Sequence, residues 1–233
     1  MLFNSAFRNP SSAISRSPLE ANFLILGGVK PPRYPTVFEA LVNAITCQQF
    51  TLTAGIRLLS RLVTVRGLPL KERAQPWAFP RPQDLVSLEI EDLRKLGFSQ
   101  QKARSLTELA RLAMDGVLDL EKLASMDDEA ALESLTRLRG VGRWAAEYAL
   151  LRGLGRVHIF PGDDVGVRNK LQSWLKVSKP LDYEGVRRIL RQWKPYGGLI
   201  YFLLLLNGLD EQGFIETSGK RGGPGGAILT QMH

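Results

Sequence analysis

Apolar residues recur at helical spacing along most of this chain. In the first such segment, Thr36 and Glu39 have the spacing of a capping box, and the apolar residues stand at i, i+3, i+4 and i+7: Phe38, Leu41, Val42 and Ile45. The same spacing predicts helices over 53–65, 89–96, 99–114, 127–138 and 144–151, and others beginning after the pair Asp163 and Asp164, after Asp182 and after Pro195. No segment alternates apolar and polar residues convincingly, so the pattern predicts an all-α fold.

Breaks in this periodicity indicate where the chain divides. Proline-rich sequence ends an arm over 1–35, and the Gly-rich sequence SGKRGGPGGA marks a tail over 213–233. Between them we expect one helical subdomain over 36–155 and a second over 156–212. We expect the arm to be loosely ordered and to pack in part with the C-terminal subdomain, and the tail to be flexible and outside the core.

Two glycines join two predicted helices in the sequence LRGVGRW, which runs from Leu138 to Trp144. Gly140 and Gly142 allow positive φ and close backbone approach, so amide groups can converge on a phosphate oxygen. The N-terminus of the next helix adds donors and a favourable dipole. A lone GxG is more typical of an ordinary turn, but arginines surround this one. The predicted phosphate-binding residues are Arg139, Gly140, Val141, Gly142 and Arg143.

Composition narrows the class of partner and of site. A net charge of +8 favours an acidic partner, nucleic acid before anionic membrane, although a basic surface can also be merely solvated. The apolar run over 199–209 is too short to span a bilayer and is typical of a buried core helix. One cysteine, Cys47, excludes an internal disulfide and cysteine-built zinc or iron–sulfur sites. Two histidines, His158 and His233, give little support to a histidine-based site.

A pair of carboxylates lies in the sequence FPGDDVG, 20 positions beyond Trp144. Either Asp163 or Asp164 can cap the helix that follows, and capping is the commoner role for each taken alone. An anion beside a sugar C1′ stabilises an oxocarbenium-like transition state and can orient or deprotonate water. We assign Asp163 to capping and Asp164 to catalysis.

Aromatic residues complete a possible base pocket. An enzyme that acts on a base in a duplex rotates the nucleotide into a pocket and fills the gap that remains. Trp144 and Tyr148 stand one helical turn apart, so both rings can line the same side of a cleft. Phe160 is a third candidate. For Tyr148 alone, packing in an ordinary core is an equal alternative.

The chain resembles helix-hairpin-helix DNA glycosylases of the 3-methyladenine DNA glycosylase II type, the family that excises alkylated bases. Five segments match in order over most of the chain: FEALVNAITCQQF at 38–50, LRKLGFSQQKARSL at 93–106, LRGVGRWAAEYALLRGLG at 138–155, FPGDDVG at 160–166 and WKPYGGLIYFLLL at 193–205. The resemblance implies two helical subdomains flanking a DNA-binding cleft. The helix-hairpin-helix would lie at about 127–152, and Asp164 at the mouth of the cleft.

The same resemblance implies further site residues and partners. Gln48 matches the family residue that faces the gap left by the rotated nucleotide, and Gln49 or Phe50 would be the wedge that fills it. For the two glutamines, the alternative is that they are simply the polar end of a helix. The carbonyls of Leu138 and Val141 are expected to hold a monovalent Na⁺ or K⁺ ion, with no required cofactor, iron–sulfur cluster or zinc. The expected partner is double-stranded DNA containing damaged bases, bound by a monomer that works inside the cell with the DNA and not at a membrane.

Departures from the family refine the expected activity. Trp144 stands where strand-nicking members carry a Schiff-base lysine, which predicts a monofunctional glycosylase that releases alkylated purines in base excision repair. The alternatives are a non-catalytic hairpin module and a glycosylase-lyase for oxidised bases. The chain resembles a short form of the family without an N-terminal β-domain. His158 stands where relatives commonly have an acidic residue. Leu205 and Leu206 replace pocket aromatics, which leaves the preferred lesion open.

Overall fold

The computed structural model describes residues 30–69, 77–119, 122–211 and 213. The chain divides into two units, with Pro32–Pro161 in the first and the chain from Gly162 onward in the second. Most of the predicted arm and nearly all of the predicted tail lie outside the described residues.

Helices build nearly all of the described part of the first unit, as the apolar spacing predicts. Its helices are α1 (Val37–Cys47), α2 (Leu52–Arg66), α3 (Pro82–Val86), α4 (Ile90–Lys95), α5 (Gln100–Met114), α6 (Lys122–Ser125), α7 (Asp128–Thr136) and α8 (Arg143–Arg152). A two-stranded antiparallel ladder pairs β1 (Leu68–Pro69) with β2 (Trp77–Ala78) between α2 and α3. Strands of two residues are too short to show alternation, so the sequence pattern did not reveal them.

Helix α1 forms the centre of the first unit. Leu41, Val42 and Ala44 are fully buried, and the helix packs against α2, α5 and α8. Its start is fixed by Thr36, whose Oγ1 accepts a hydrogen bond from the Glu39 amide at 3.1 Å. The predicted amphipathic helix is therefore confirmed, although it is buried on more than one face.

Side-chain caps set most of the predicted helix starts. Ser99 caps α5 and Asp127 caps α7, each accepting from the third residue of its helix. Helix α4 ends before Gly97, which has a φ of +106°. Helix α7 ends at Thr136 and not at the predicted Leu138, because the chain turns before the two glycines.

The second unit contains α9 (Val165–Trp174), α10 (Tyr183–Leu190), a 3-10 turn (Arg191–Trp193) and α11 (Gly197–Glu211). Asp182 caps α10 through the Gly185 amide at 2.7 Å, as predicted. The predicted core helix is α11, which packs on α9. Its buried residues are Leu199, Ile200, Tyr201, Phe202, Leu203 and Leu204. Among the described helices, none is long and apolar enough to cross a membrane.

The Asp128 carboxylate holds the end of the first unit against the helices of that unit. Asp128 accepts from Arg156 at 2.8 Å and pairs with His158 at 2.6 Å. The Arg156 guanidinium also donates to the carbonyls of Leu123 and Met126. These contacts hold the segment after α8 to the first unit, which ends at Pro161.

We predict that the contacts of Asp128 with Arg156 and His158 make the stability of the fold depend on pH. Partial burial raises the pKa of Asp128, but hydrogen bonds and charge from His158 and Arg156 outweigh it and leave the pKa below its ordinary value. A depressed pKa stabilises the fold above the ordinary carboxyl value, and this stabilisation is lost as the pH falls through the folded value. Asp128→Asn should lower the melting temperature at pH 7 by on the order of 2 °C, with a difference that shrinks in acid.

Thermal unfolding followed by circular dichroism between pH 3 and pH 7 measures this difference. Asp115→Asn, at the exposed end of α5, is the control and should leave the pH dependence as it is in the wild type. If the melting temperature of Asp128→Asn differed from that of the wild type by the same amount at every pH, the contacts of Asp128 would not contribute to the pH dependence.

Candidate functional site

The turn between α7 and α8 is closed by its own backbone. The Val141 amide donates to the Leu138 carbonyl at 3.1 Å. Gly140 has a φ of +77°, whereas Gly142 has a φ of −85° and is the N-cap of α8. The prediction of positive φ was therefore right for Gly140 and wrong for Gly142, since an N-cap residue takes extended backbone.

Gly140 is held from two directions. A Cβ added there would lie 2.8 Å from the Ser105 Cβ on α5, so only glycine fits against that helix. The Gly140 carbonyl accepts a hydrogen bond from the Gln48 Nε2 atom at 2.9 Å. Three stretches of chain, the turn, α5 and the residues after α1, thus meet at one glycine.

The rest of the turn presents backbone and charge. Val141 is only 4% exposed, and its side chain anchors the turn in the core. A Cβ added at Gly142 would meet nothing within 4 Å, which leaves the start of α8 open to close approach. Arg139 and Arg143 are exposed, and Arg139 lies 3.7 Å from the Glu108 carboxylate. An exposed helix start flanked by cations suits an anion.

The two predicted pocket rings lie side by side on α8. Trp144 and Tyr148 have ring centroids 5.4 Å apart, and both residues are half-buried. The Tyr148 hydroxyl lies 3.1 Å from that of Tyr34, whose pKa is raised chiefly by burial. The Arg152 guanidinium lies over both tyrosine rings, at 5.0 Å from Tyr34 and 5.5 Å from Tyr148. Phe160, the third predicted ring, is buried near the end of this unit.

The residues from Gln48 to Phe50 form a constrained turn after α1. The Gln48 amide is committed to the Gly140 carbonyl. Gln49 is exposed and has a φ of +58°, a left-handed conformation that costs a non-glycine residue about 1 kcal/mol or more. Phe50 is 43% exposed, unusually open for so large an apolar ring. Of these three predicted gap-facing residues, Gln49 therefore has the exposed polar side chain and the strained backbone.

A lysine that the sequence analysis did not single out fixes this turn. The Lys102 ammonium donates to the carbonyls of Thr46 and Gln48, each at 2.7 Å, and lies 3.6 Å from the centroid of the Phe50 ring. Burial lowers the Lys102 pKa. Lys102 lies in a segment that matches the family, but its partners are more than fifty residues away in sequence, so local spacing could not have revealed the contact.

The chemistry of Cys47 agrees with a packing role. Burial raises the pKa of its thiol to about 11, against a smaller lowering by Lys102, so the thiol is protonated near neutral pH. Across the described residues, no group of three or more His, Cys, Asp or Glu side chains could hold a metal ion.

Asp164 begins α9 with both carboxylate oxygens engaged. Its Oδ1 accepts from the Val167 amide at 3.0 Å, and its Oδ2 accepts from the Tyr201 hydroxyl at 2.7 Å. Asp164 and Asp163 are both half-exposed, so solvent reaches this helix start. The assignment of capping to Asp163 was wrong: Asp164 has the extended backbone directly before the first helical residue and therefore makes the cap.

The two glycines of the turn should respond differently to alanine. Gly140→Ala places a side chain at positive φ and against Ser105, which should cost about 2 kcal/mol or more of unfolding free energy. Gly142→Ala, in extended backbone with open space, should cost about 0.5 kcal/mol. Urea unfolding of both variants measures the difference, and equal losses would contradict the geometry of the turn.

Removing the Lys102 charge should loosen the turn after α1. Lys102→Met keeps the length of the side chain but leaves two carbonyls without their donor, and should cost about 2 kcal/mol. The matched control is Lys95→Met, because Lys95 only pairs with Asp92 at 3.3 Å on the exposed side of α4. That variant should stay within about 0.5 kcal/mol of the wild type. Similar urea midpoints for the two variants would argue against this role of Lys102.

Comparison with known proteins identifies the family. The model of the HhH-GPD superfamily base excision DNA repair proteins matches residues 42–195. The chain is 28% identical to DNA-3-methyladenine glycosylase 2 of Escherichia coli over 72% of this chain and 57% of that protein. It is also 28% identical to the DNA-3-methyladenine glycosylase of Bacillus subtilis, over 76% of this chain and 59% of that protein.

A solved structure supports the same assignment. The 3-methyladenine DNA glycosylase of Archaeoglobus fulgidus superposes with a TM-score of 0.68 at 29% identity, over 79% of this chain and 62% of that one. The chain spans less than two thirds of the length of each of these three relatives. Since the family model covers well over half of the residues, the chain belongs to the HhH-GPD superfamily of base excision DNA repair proteins.

Proposed function

We propose that this protein is a monofunctional DNA glycosylase that removes alkylated purines from double-stranded DNA in base excision repair. The observation that carries the proposal is the Asp164 carboxylate, half-exposed at the start of α9 and oriented by a hydrogen bond on each oxygen. The names of the Escherichia coli, Bacillus subtilis and Archaeoglobus fulgidus relatives, all 3-methyladenine DNA glycosylases, support the alkylated substrate class. The protein acts as a monomer where the cell keeps its DNA.

In this proposal the turn between α7 and α8 grips a DNA phosphate. The open start of α8 supplies amide donors, and Arg139 and Arg143 add positive charge. A monovalent cation fits the predicted carbonyls: Leu138 uses one lone pair for the Val141 amide and has a second to offer. Such an ion, when bound, would add positive charge facing the phosphate. The net charge of +8 supplies the long-range attraction.

The reaction needs only one carboxylate when the base is already cationic. The bond between C1′ and the purine nitrogen breaks, and its electron pair passes to the alkylated base, which leaves as a neutral molecule. Asp164 stabilises the positive charge that develops on the sugar. A water oriented by the same carboxylate forms the new bond at C1′ and releases its proton. The products are the free base and an abasic site.

Trp144 separates this activity from that of a glycosylase-lyase. Its indole has no amine that could form a Schiff base with C1′, so strand cleavage by that route is not available at this position. Borohydride should therefore trap no covalent complex with DNA. This residue favours the alkylated-base activity over the oxidised-base alternative.

The ring pair of Trp144 and Tyr148 offers a surface for a flipped base. A cationic purine is attracted to an aromatic face, and tryptophan is the best such partner. The Arg152 guanidinium already lies over Tyr148, so Trp144 carries most of this attraction. Gln49, exposed and strained, enters the gap in the duplex in this proposal, while Gln48 ties the turn to Gly140.

Replacing Asp164 tests the reaction directly. Asp164→Asn keeps an N-cap oxygen for the Val167 amide but removes the negative charge, so the protein should fold and bind. Release of base from duplexes with a single N7-methylguanine, N3-methyladenine or ethenoadenine should fall by about 100-fold or more. Chromatography of the freed base measures the rate, and fluorescence anisotropy with an abasic-site duplex measures binding.

The neighbouring variant Asp163→Asn is the matched control and should keep most of the activity. Wild-type protein that binds these duplexes but frees no base would favour the non-catalytic hairpin module. Equal release of base by wild type and Asp164→Asn would refute the catalytic role of Asp164. Binding should also weaken steeply as salt increases, because the arginines displace counterions from phosphates.

A further inference from the structure

One buried hydroxyl points at the proposed catalytic carboxylate. Tyr201 lies in the second turn of α11 and is 1% exposed. Its hydroxyl donates to the Asp164 Oδ2 at 2.7 Å, a short distance typical of a hydrogen bond to a charged acceptor. The two residues are 37 positions apart and lie in the same unit.

This hydrogen bond is not needed to start the helix. The cap of α9 uses only the Oδ1 of Asp164, through the Val167 amide at 3.0 Å. With Oδ1 held by backbone and Oδ2 held by Tyr201, rotation of the carboxylate is restricted about its last bond. A carboxylate has about four lone-pair sites, so it can accept further hydrogen bonds besides these two.

We propose that Tyr201 is a positioning residue that orients the Asp164 carboxylate and stabilises its negative charge for the glycosylase reaction. The inference rests on the proposed function of Asp164 and adds a second residue to it. Tyr201 does not meet the substrate in this proposal. It acts through Asp164, since a donor that binds the charged form of a carboxylate favours that form, and a fixed orientation removes the need to order the group during the reaction.

The surroundings of Tyr201 explain why the contact is rigid. The neighbouring residues Ile200 and Leu204 are at most 1% exposed, so the phenol cannot move away without opening the core of its unit. A buried tyrosine hydroxyl usually requires a partner, which makes the contact favourable for folding as well. The test must therefore separate an effect on the reaction from an effect on stability.

The kinetic test uses Tyr201→Phe, which removes only the hydroxyl. Its probe is a duplex with one N7-methylguanine under single-turnover conditions. The rate of base release should fall about 10-fold, which is the loss expected when one hydrogen bond to a charged group is removed. The affinity for an abasic-site duplex should change less than about 2-fold.

Tyr183→Phe is the matched control. Tyr183 lies on α10 of the same unit, with its ring near Arg187, and Tyr183→Phe removes the same hydroxyl from a different helix. It should keep the wild-type rate and the wild-type affinity for the abasic-site duplex. If Tyr201→Phe also keeps both, while Asp164→Asn is inactive, the positioning role is refuted and the proposed function stands.

A double-mutant cycle tests the contact without using activity. Melting temperatures are compared for wild type, Tyr201→Phe, Asp164→Ala and the double variant. Coupled residues give non-additive shifts, so Tyr201→Phe should cost less in the Asp164→Ala background than in the wild type. Additive shifts would overturn the inference even if the enzyme is active. Wild-type protein that frees no base would overturn the proposed function, and the positioning role with it, while non-additive shifts would still establish the contact.

Discussion

The close contact at Gly140 is the constraint on which the first unit's candidate site depends. Its positive φ closes the turn between α7 and α8, its missing side chain admits Ser105 of α5, and its carbonyl receives the Gln48 amide. One residue therefore fixes the turn proposed to hold a phosphate relative to the turn proposed to enter the duplex. A shift of either turn would have to break a hydrogen bond or open the packing around α5, which close-packed interiors resist.

Capping and catalysis, which compete as explanations of Asp164 when only the sequence is considered, are compatible in the structure. The cap occupies one oxygen, and the other is oriented by Tyr201. The position at the start of α9 suits both the cap and the proposed catalysis, because the donors that begin a helix also stabilise a negative charge. Asp163, the residue next to it, lacks the extended backbone position directly before the helix, so it is not the cap.

Much of the fold follows from local sequence, and the missing features are those that depend on distant residues. Apolar spacing with Thr36 and Asp182 as caps predicted helices within a few residues of those observed, because a helix and its cap involve neighbours along the chain. The contacts of Lys102 with the turn after α1, and of Tyr201 with Asp164, join residues far apart in sequence. No periodicity encodes such pairs. The sequence therefore reveals which side chains carry the proposed chemistry more readily than it reveals which residues hold them.

The electrostatics of the second unit explain why a holding residue is needed. The proposed substrate is a polyanion, and its phosphates repel a carboxylate brought close to a sugar. The net charge of +8 attracts DNA at long range, but salt screens that field beyond about 10 Å and it does not act on one oxygen atom. Local donors do. The Val167 amide at the start of α9 and the buried Tyr201 hydroxyl each stabilise the Asp164 charge at hydrogen-bond distance, where screening by salt is weak. In the proposed reaction, a negatively charged group can therefore approach DNA because its own unit supplies donors that stabilise the charge.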